Sequence, residues 1–358
     1  MTPSVDRAER WVELTPLIVT NGVTVSALYW AQSIVMRVSA EFGPSAAINL
    51  LPGATLAGYA VGVAVLAGWA RDLTSAKNLG IHTCLLAAGL GLAAASPHAA
   101  IAATGFFVIG LGCSQTQRLL ACVTSAVAPA RRAQAIGSII AAGLCGIILA
   151  RALVPLASAW IGWRLMLASA SVLVILCGLA ATTAATAIAQ RQPEPSTEIL
   201  PTVISLWRRE TLLRRAALQQ AMVFAVFNTA WAAYPRLLAA DSAAPALWMG
   251  LVASLGAAAA IASGRMCGRR DPSSIARLGA GAVALASLTF FVIGQAGGIC
   301  SAEMALLDVG TQVALVANQA RAQSVALSPA MRGRLAAIVT TVGFAGGAIG
   351  AAIGNMIP

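Results

Sequence analysis

Charge is what this sequence has least of: twelve acidic and twenty-three basic residues among 358, 10% in all, with aromatics at 5%. A soluble globular domain carries roughly 25% charged residues, so a water-facing shell of ordinary extent is excluded. The seven cysteines stand singly, with no CxxC, and six lie in apolar segments (Cys84, Cys113, Cys122, Cys145, Cys177, Cys300); small packing residues are the natural reading. The two histidines, His82 and His98, have no ligand pattern around them, so no metal site and no cofactor is expected. Neither a nucleophile–base set nor a phosphate-binding loop occurs, which argues against an enzyme. Alternating strand patterns are absent as well, which leaves helices rather than a barrel.

Apolar sequence takes the place of all this: 59% of residues are hydrophobic and the mean hydropathy is +0.82. A membrane-spanning helix needs about 20 mostly apolar residues. Eleven such segments are expected, within 16–38, 47–70, 78–96, 99–125, 134–157, 163–189, 211–234, 246–266, 275–294, 299–322 and 335–356. The chain is expected to be an all-α protein crossing the lipid bilayer about eleven times.

The net charge of +11 would suit nucleic acid if it were clustered, but it is dealt out between spans, so no nucleic-acid partner is expected. With the amino terminus inside, cytoplasmic segments hold most of the arginines, among them Arg71, Arg131, Arg132, Arg208, Arg209, Arg269, Arg270 and Arg332. Only Arg37, Arg164 and Arg236 fall on the other face. That asymmetry predicts a cytoplasmic N-terminus in the cell (inner) membrane. The first fifteen residues mix acids and bases and precede a run long enough to span, so no cleaved signal is expected.

Two loops share a pattern of small residue, Pro, Ala, arginine and a small-residue apolar stretch: `APARRAQAIG` from Ala128 and `SPAMRGRLAA` from Ser328. Pro129 and Pro329, Arg132 and Arg332, Gly110 and Gly310, Gly143 and Gly343, and Gly146 and Gly346 are each 200 positions apart. A register kept over helix, loop and helix points to an internal duplication. Residues 1–189 then form a six-helix bundle, 190–212 a polar cytoplasmic linker, and 213–358 a second bundle of about five helices.

Two parallel halves resemble the major facilitator superfamily. That family has a loop reading Gly-x-x-x-Asp-Arg-x-Gly-Arg-Arg between helices two and three; Gly68, Asp72 and Lys77 fit it, while Leu73, Ser75 and Ala76 depart. In the second half Gly264 and Arg269 fit, with Gly268 in place of the acid. `PARRAQAIG` is similar to the family's loop four to five and `IGWR`, from Ile161, to its start of helix six. `ALYWAQS` in the first helix resembles a Tyr-Tyr-x-Gln-Pro region in a bacterial efflux branch near nucleoside and sugar exporters. The resemblance implies two pseudo-symmetric bundles and transport of a small-molecule solute. Of the efflux run Arg-x-x-Gln-Gly-x-Gly in helix four only Gly110 and Gly112 are present, Phe106 and Ile109 replacing the polar pair. Gly68 and Asp72 facing Arg132 or Arg332 would make a cytoplasmic latch; the alternative is that these arginines only set topology.

Polar residues inside the membrane are costly and usually face a cavity. Tyr29, Gln32, Asn228 and Trp231, on the first helix of each half, are candidate solute contacts, or else interhelical and interfacial anchors. Gln115 sits one turn before Arg118 in the fourth helix, and Arg151 lies in the outer half of the fifth. A buried guanidinium needs an anion, and the first half has no intramembrane acid. Asp308 in the tenth helix is the deep acid available, apart from Glu303 nearer the outside. Either Arg118 or Arg151 pairs with it, or one of them meets an anionic solute; Asp308 is also the natural proton carrier.

Trp163, which opens helix six, would find its counterpart at position 363, beyond Pro358. A twelfth helix is therefore expected to be missing, the C-terminus to lie outside, and the uncovered flank to be open to a second copy or partner. Two functions stay open: proton-linked efflux by an antiporter, or a non-transporting membrane subunit that binds a partner or solute.

Overall fold

Long alanine- and leucine-rich runs make helices here because no strand pattern competes, and glycine, proline or a capping side chain closes several of the runs. The computed structural model describes residues 3–66, 75–127, 132–191, 203–237, 243–292, 297–326 and 329–356, and among these there is no strand. In chain order the helices are α1 (Pro3–Ala27), α2 (Trp30–Phe42), α3 (Ala46–Val61, prolonged by a π turn, Gly62–Leu66), α4 (Ser75–Ala94), α5 (Ala99–Cys113), α6 (Thr116–Ser125) and α7 (Arg132–Ile161). They continue as α8 (Trp163–Arg191), α9 (Val203–Arg209), α10 (Thr211–Leu237), α11 (Ala243–Cys267), α12 (Pro272–Val292), α13 (Gly297–Gln323) and α14 (Pro329–Gly354).

Local chemistry sets the ends. Gly43 (φ 76°) stops α2, and Ser45 caps α3 through Ile48 N–H. Gly162 (φ 79°) is the single residue between α7 and α8, a left-handed position that glycine occupies without strain. Asp271 accepts from the Ser273 and Ser274 N–H groups at the start of α12, with Pro272 in the first turn. These bonds hold the exposed Asp271 carboxyl below the usual carboxylate range.

Among the described residues, seven stretches are long and apolar enough to cross a membrane by composition: 46–65, 99–123, 134–161, 163–190, 250–267, 272–290 and 331–354. The other expected spans correspond to α1–α2, α4, α10 and α13, in which Asn21, Gln32, His82, Gln220, Asn228 and Asp308 are buried. Two expected spans are not continuous helices. The first breaks at Leu28–Tyr29, where Tyr29 N–H bonds Ser26 C=O. The fourth is interrupted at Ser114–Gln115, with the Gln115 carbonyl accepting from the Arg118 and Leu119 N–H groups at the start of α6. The expected linker, 190–212, contains α9, and α8 runs on to Arg191.

Large apolar side chains such as Leu149, Leu153, Leu176, Leu278, Leu285 and Met222 point outward at half exposure or more, the arrangement of a protein solvated by lipid. Inside, α1 lies on α7 and α8, α4 on α5 and α8, α10 on α13 and α14, and α12 on α13. Two seams join helices before residue 191 to helices after 203: α3 against α14, and α7 against α11.

The repeated glycines explain part of this. A Cβ on Gly146 would strike Gly22 C=O of α1, and one on Gly346 or Gly350 would strike the backbone of Ala221 or Ala225 in α10. The 200-residue register thus reproduces one packing solution, α7 on α1 and α14 on α10. Gly110 and Gly310 share the register but not the neighbour: Gly110 abuts Thr55 and Tyr59 of α3, whereas Gly310 abuts Gly279 and Ala282 of α12.

Candidate functional site

Arg151 sits on α7 between Leu149 and Leu153, both about half exposed, and is itself 2% exposed. The helical period therefore turns lipid-facing leucines outward and the guanidinium inward. Its Nη1 donates to Oδ2 of Asp308 on α13, and both side chains of this ion pair are 3% exposed. Of the two arginines considered for Asp308, the structure brings Arg151. Gly256 of α11 makes room for the acid, with the Asp308 side chain 3.5 Å from where a Cβ would stand.

Aromatic faces enclose the cation. The Arg151 Cζ lies 3.7 Å over the Trp231 ring, 5.6 Å from Tyr29 and 5.7 Å from Phe227. At this burial a cation–π contact is worth about 2 kcal/mol. Beside the cage, Gln32 Nε2 donates to Asn228 Oδ1 at 2.9 Å, and Asn228 Nδ2 donates to Phe224 C=O at 2.9 Å. Ser33 Oγ, donating to Ala150 C=O at 3.1 Å, fixes α2 against α7. Arg151 Nε has no acceptor among the described residues.

Tyr29, Gln32, Arg151, Asn228, Trp231 and Asp308 thus converge on one buried place, drawn from α7, α10, α13 and the turn where α1 gives way to α2. The helix break at Tyr29 is what lets its ring reach the cation. The other candidates lie elsewhere. Gln115 donates from Nε2 to Thr24 Oγ1 at 2.8 Å and holds the α5–α6 break to α1. Arg118, half-buried on α6, acts electrostatically on His82. Gly68, Asp72 and the side chain of Arg132 lie outside the described residues, while Arg332 is exposed near the start of α14. Among the described residues no cluster of His, Cys, Asp and Glu could hold a metal ion.

Sequence reasoning missed several parts. Phe227 joins the cage although nothing distinguishes it from other core aromatics. Tyr59 and Phe344 meet with centroids 4.4 Å apart and planes tilted by 51° across the α3–α14 seam. Farther along that seam Asn355 Nδ2 donates to Asn49 C=O at 2.8 Å, and Gly53 passes close to Ala348 C=O. At the same end, Glu41 accepts from Trp163 Nε1 at 2.7 Å and pairs with Arg164 at 2.7 Å. The arginine holds the Glu41 carboxyl below its ordinary value. An acid and an arginine at neighbouring span ends were the available signal.

The sequence profile of the Major Facilitator Superfamily matches residues 18–351. The chain belongs to the major facilitator superfamily. It is 29% identical over 235 residues to the uncharacterized transporter YgaY of Escherichia coli O157:H7, an alignment covering 64% of this chain and 59% of that protein. The chain therefore spans about three fifths of that relative's length. It is 27% identical over 347 residues to the transporter SCO4007 of Streptomyces coelicolor, covering 94% of this chain and 80% of that one. Its fold matches the crystal structure of a bacterial homologue of the lysosomal transporter Spinster, in an inward-facing, unoccupied conformation, with a TM-score of 0.74 and 14% identity over 95% of this chain and 81% of the other. As a major facilitator protein the chain is multi-pass, and the cage around Arg151 is its most deeply buried cluster of opposite charges among the described residues.

Proposed function

We propose that this protein is a secondary transporter that exports a small organic solute across the cell membrane by alternating access, driven by proton entry. The observation that carries the reading is the buried Arg151–Asp308 pair, which joins a helix before residue 191 to one after 203. Such a pair is stable only while both charges are present. A proton on Asp308 cancels one charge, frees the guanidinium and favours separation of α7 from α13. The freed guanidinium then suits an anionic group on the solute, while Tyr29, Gln32, Asn228 and Trp231 supply flat apolar faces and amide hydrogen bonds.

Residues 1–189 and 213–358 are proposed to move as two bodies joined by the linker 190–212. The arginine-rich end is assigned to the cytoplasm. The contacts Asn49–Asn355 and Gly53–Ala348, which join the two halves, lie at the arginine-poor end. These contacts support a conformation loaded from the cytoplasm, as export requires. When the cytoplasmic end closes in turn, Gly68, Asp72, Arg132 and Arg332 are the proposed latch. Gln115 and Arg118 flank the path on the cytoplasmic side.

The test is flux of pooled organic anions in proteoliposomes under an imposed proton gradient, with Asp308→Asn and Arg151→Gln alongside. Gradient-driven flux lost in both variants is expected. A well-folded wild-type protein with no flux for any pool would favour the partner-binding alternative.

A further inference from the structure

A second feature lies away from this cage, on the lipid-facing side of α12. A groove there is lined by Ser274, Arg277, Leu278, Gly281, Ala282 and Leu285. Its polar and apolar parts are segregated along the helix. At the arginine-rich end, Arg277 Nη2 donates to Ser274 Oγ at 2.9 Å and the exposed guanidinium stands at the head of the groove. Below it, Leu278 (65% exposed) and Leu285 (55% exposed), two turns apart on one face of α12, bracket a shallow lane opened by Gly281, which has no neighbour within 4 Å of a Cβ position.

The ground behind the head is electropositive. Arg321 of α13 is 9% exposed and is held through Nη1 by two neutral acceptors, Gln219 Oε1 and Asn318 Oδ1; its Nε has no acceptor among the described residues. It experiences Arg277 and Arg215 as like charges, and Asp271 is the acid that offsets them. That acid is already committed to the Ser273 and Ser274 N–H groups and to Ser274 Oγ. Three guanidinium groups therefore share one carboxylate, and the local excess of positive charge calls for an anion.

The geometry points to an anionic phospholipid bound here, its phosphodiester at the Arg277 guanidinium and one acyl chain along Leu278, Gly281, Ala282 and Leu285. A free anion would use the head and leave the lane empty. A zwitterionic lipid would fill the lane but bring no net charge to the arginines. The placement in the cytoplasmic leaflet follows the orientation proposed above; the binding itself needs neither that orientation nor transport activity.

The experiment is native mass spectrometry of the full chain released from nanodiscs of phosphatidylcholine with a minority of phosphatidylglycerol, counting retained lipids of each kind. Wild type is expected to retain phosphatidylglycerol preferentially. Arg277→Gln should weaken that retention about fivefold, the worth of one interfacial arginine. Gly281→Leu fills the lane, its Cβ meeting no neighbour within 4 Å, and should lower retention while unfolding stability in lipid-free detergent stays at the wild-type value or rises. Equal retention by wild type and both variants would overturn the site, and displacement of the lipid by inorganic phosphate alone would overturn the lipid assignment.

Discussion

Replacing Asp308 by Asn isolates the central interaction. The substitution keeps shape and removes one charge, leaving the Arg151 guanidinium 2% exposed among Trp231, Tyr29 and Phe227. Breaking a buried ion pair by removing one partner costs about 3–5 kcal/mol. The new amide oxygen can still accept one hydrogen bond from Nη1, worth about 1 kcal/mol, so a net loss of about 2–4 kcal/mol is expected. Arg151→Gln should cost less, because an orphaned carboxylate can take a proton whereas a guanidinium cannot shed one. The double variant, two amides able to bond each other, should recover much of the loss and give a coupling energy of about 2 kcal/mol. Reversible unfolding in mixed micelles measures all four proteins. Additive single-variant costs, with coupling below about 0.5 kcal/mol, would refute the pair as a unit.

The remaining predictions concern the cage and the seams. Trp231→Ala should lose about 2 kcal/mol of cation–π attraction plus packing, and Trp231→Phe should recover part of it in the same assay. Gly53→Leu places a Cβ 2.9 Å from Ala348 C=O and should destabilise by about 1–3 kcal/mol while weakening cross-linking between α3 and α14. The Glu41 carboxyl is depressed in the folded protein from 4.5 by its bonds to Arg164 and Trp163. Its contribution is therefore present above that ordinary value and lost as pH falls through the lowered one. Trp163 fluorescence should report that loss on acidification, and Glu41→Gln should remove the transition. A transition unchanged by Glu41→Gln would show that another group drives it.

Much of the fold was legible because lipid leaves few options: long apolar runs, polar breaks and a 200-residue register fix helices and their order. The register did not name the neighbours: only the structure shows the glycines of α7 and α14 meeting the backbone of α1 and α10. The register misled at Gly110 and Gly310, where the same letter serves different neighbours. The breaks at Tyr29 and Ser114–Gln115 were invisible, because neither has a proline or a charge to mark it; both follow from tertiary contacts overriding local helix preference. For the site, costly polar residues singled out six members of the cluster. Which arginine met Asp308 depends on depth and facing across two helices far apart in sequence, and no spacing rule supplies that. Phe227 was hidden among ordinary core aromatics for the same reason.

The Arg151–Asp308 pair is proposed to join the two halves, so that its loss should loosen the Asn49–Asn355 contact at the arginine-poor end. Spin labels at Leu50 and Met356, exposed positions beside the Asn49–Asn355 contact, would measure that end by pulsed dipolar spectroscopy in nanodiscs, with the native cysteines replaced. The account predicts one short distance in the parent protein and an added longer population in Asp308→Asn. An unchanged distribution in Asp308→Asn, from folded protein, would contradict it.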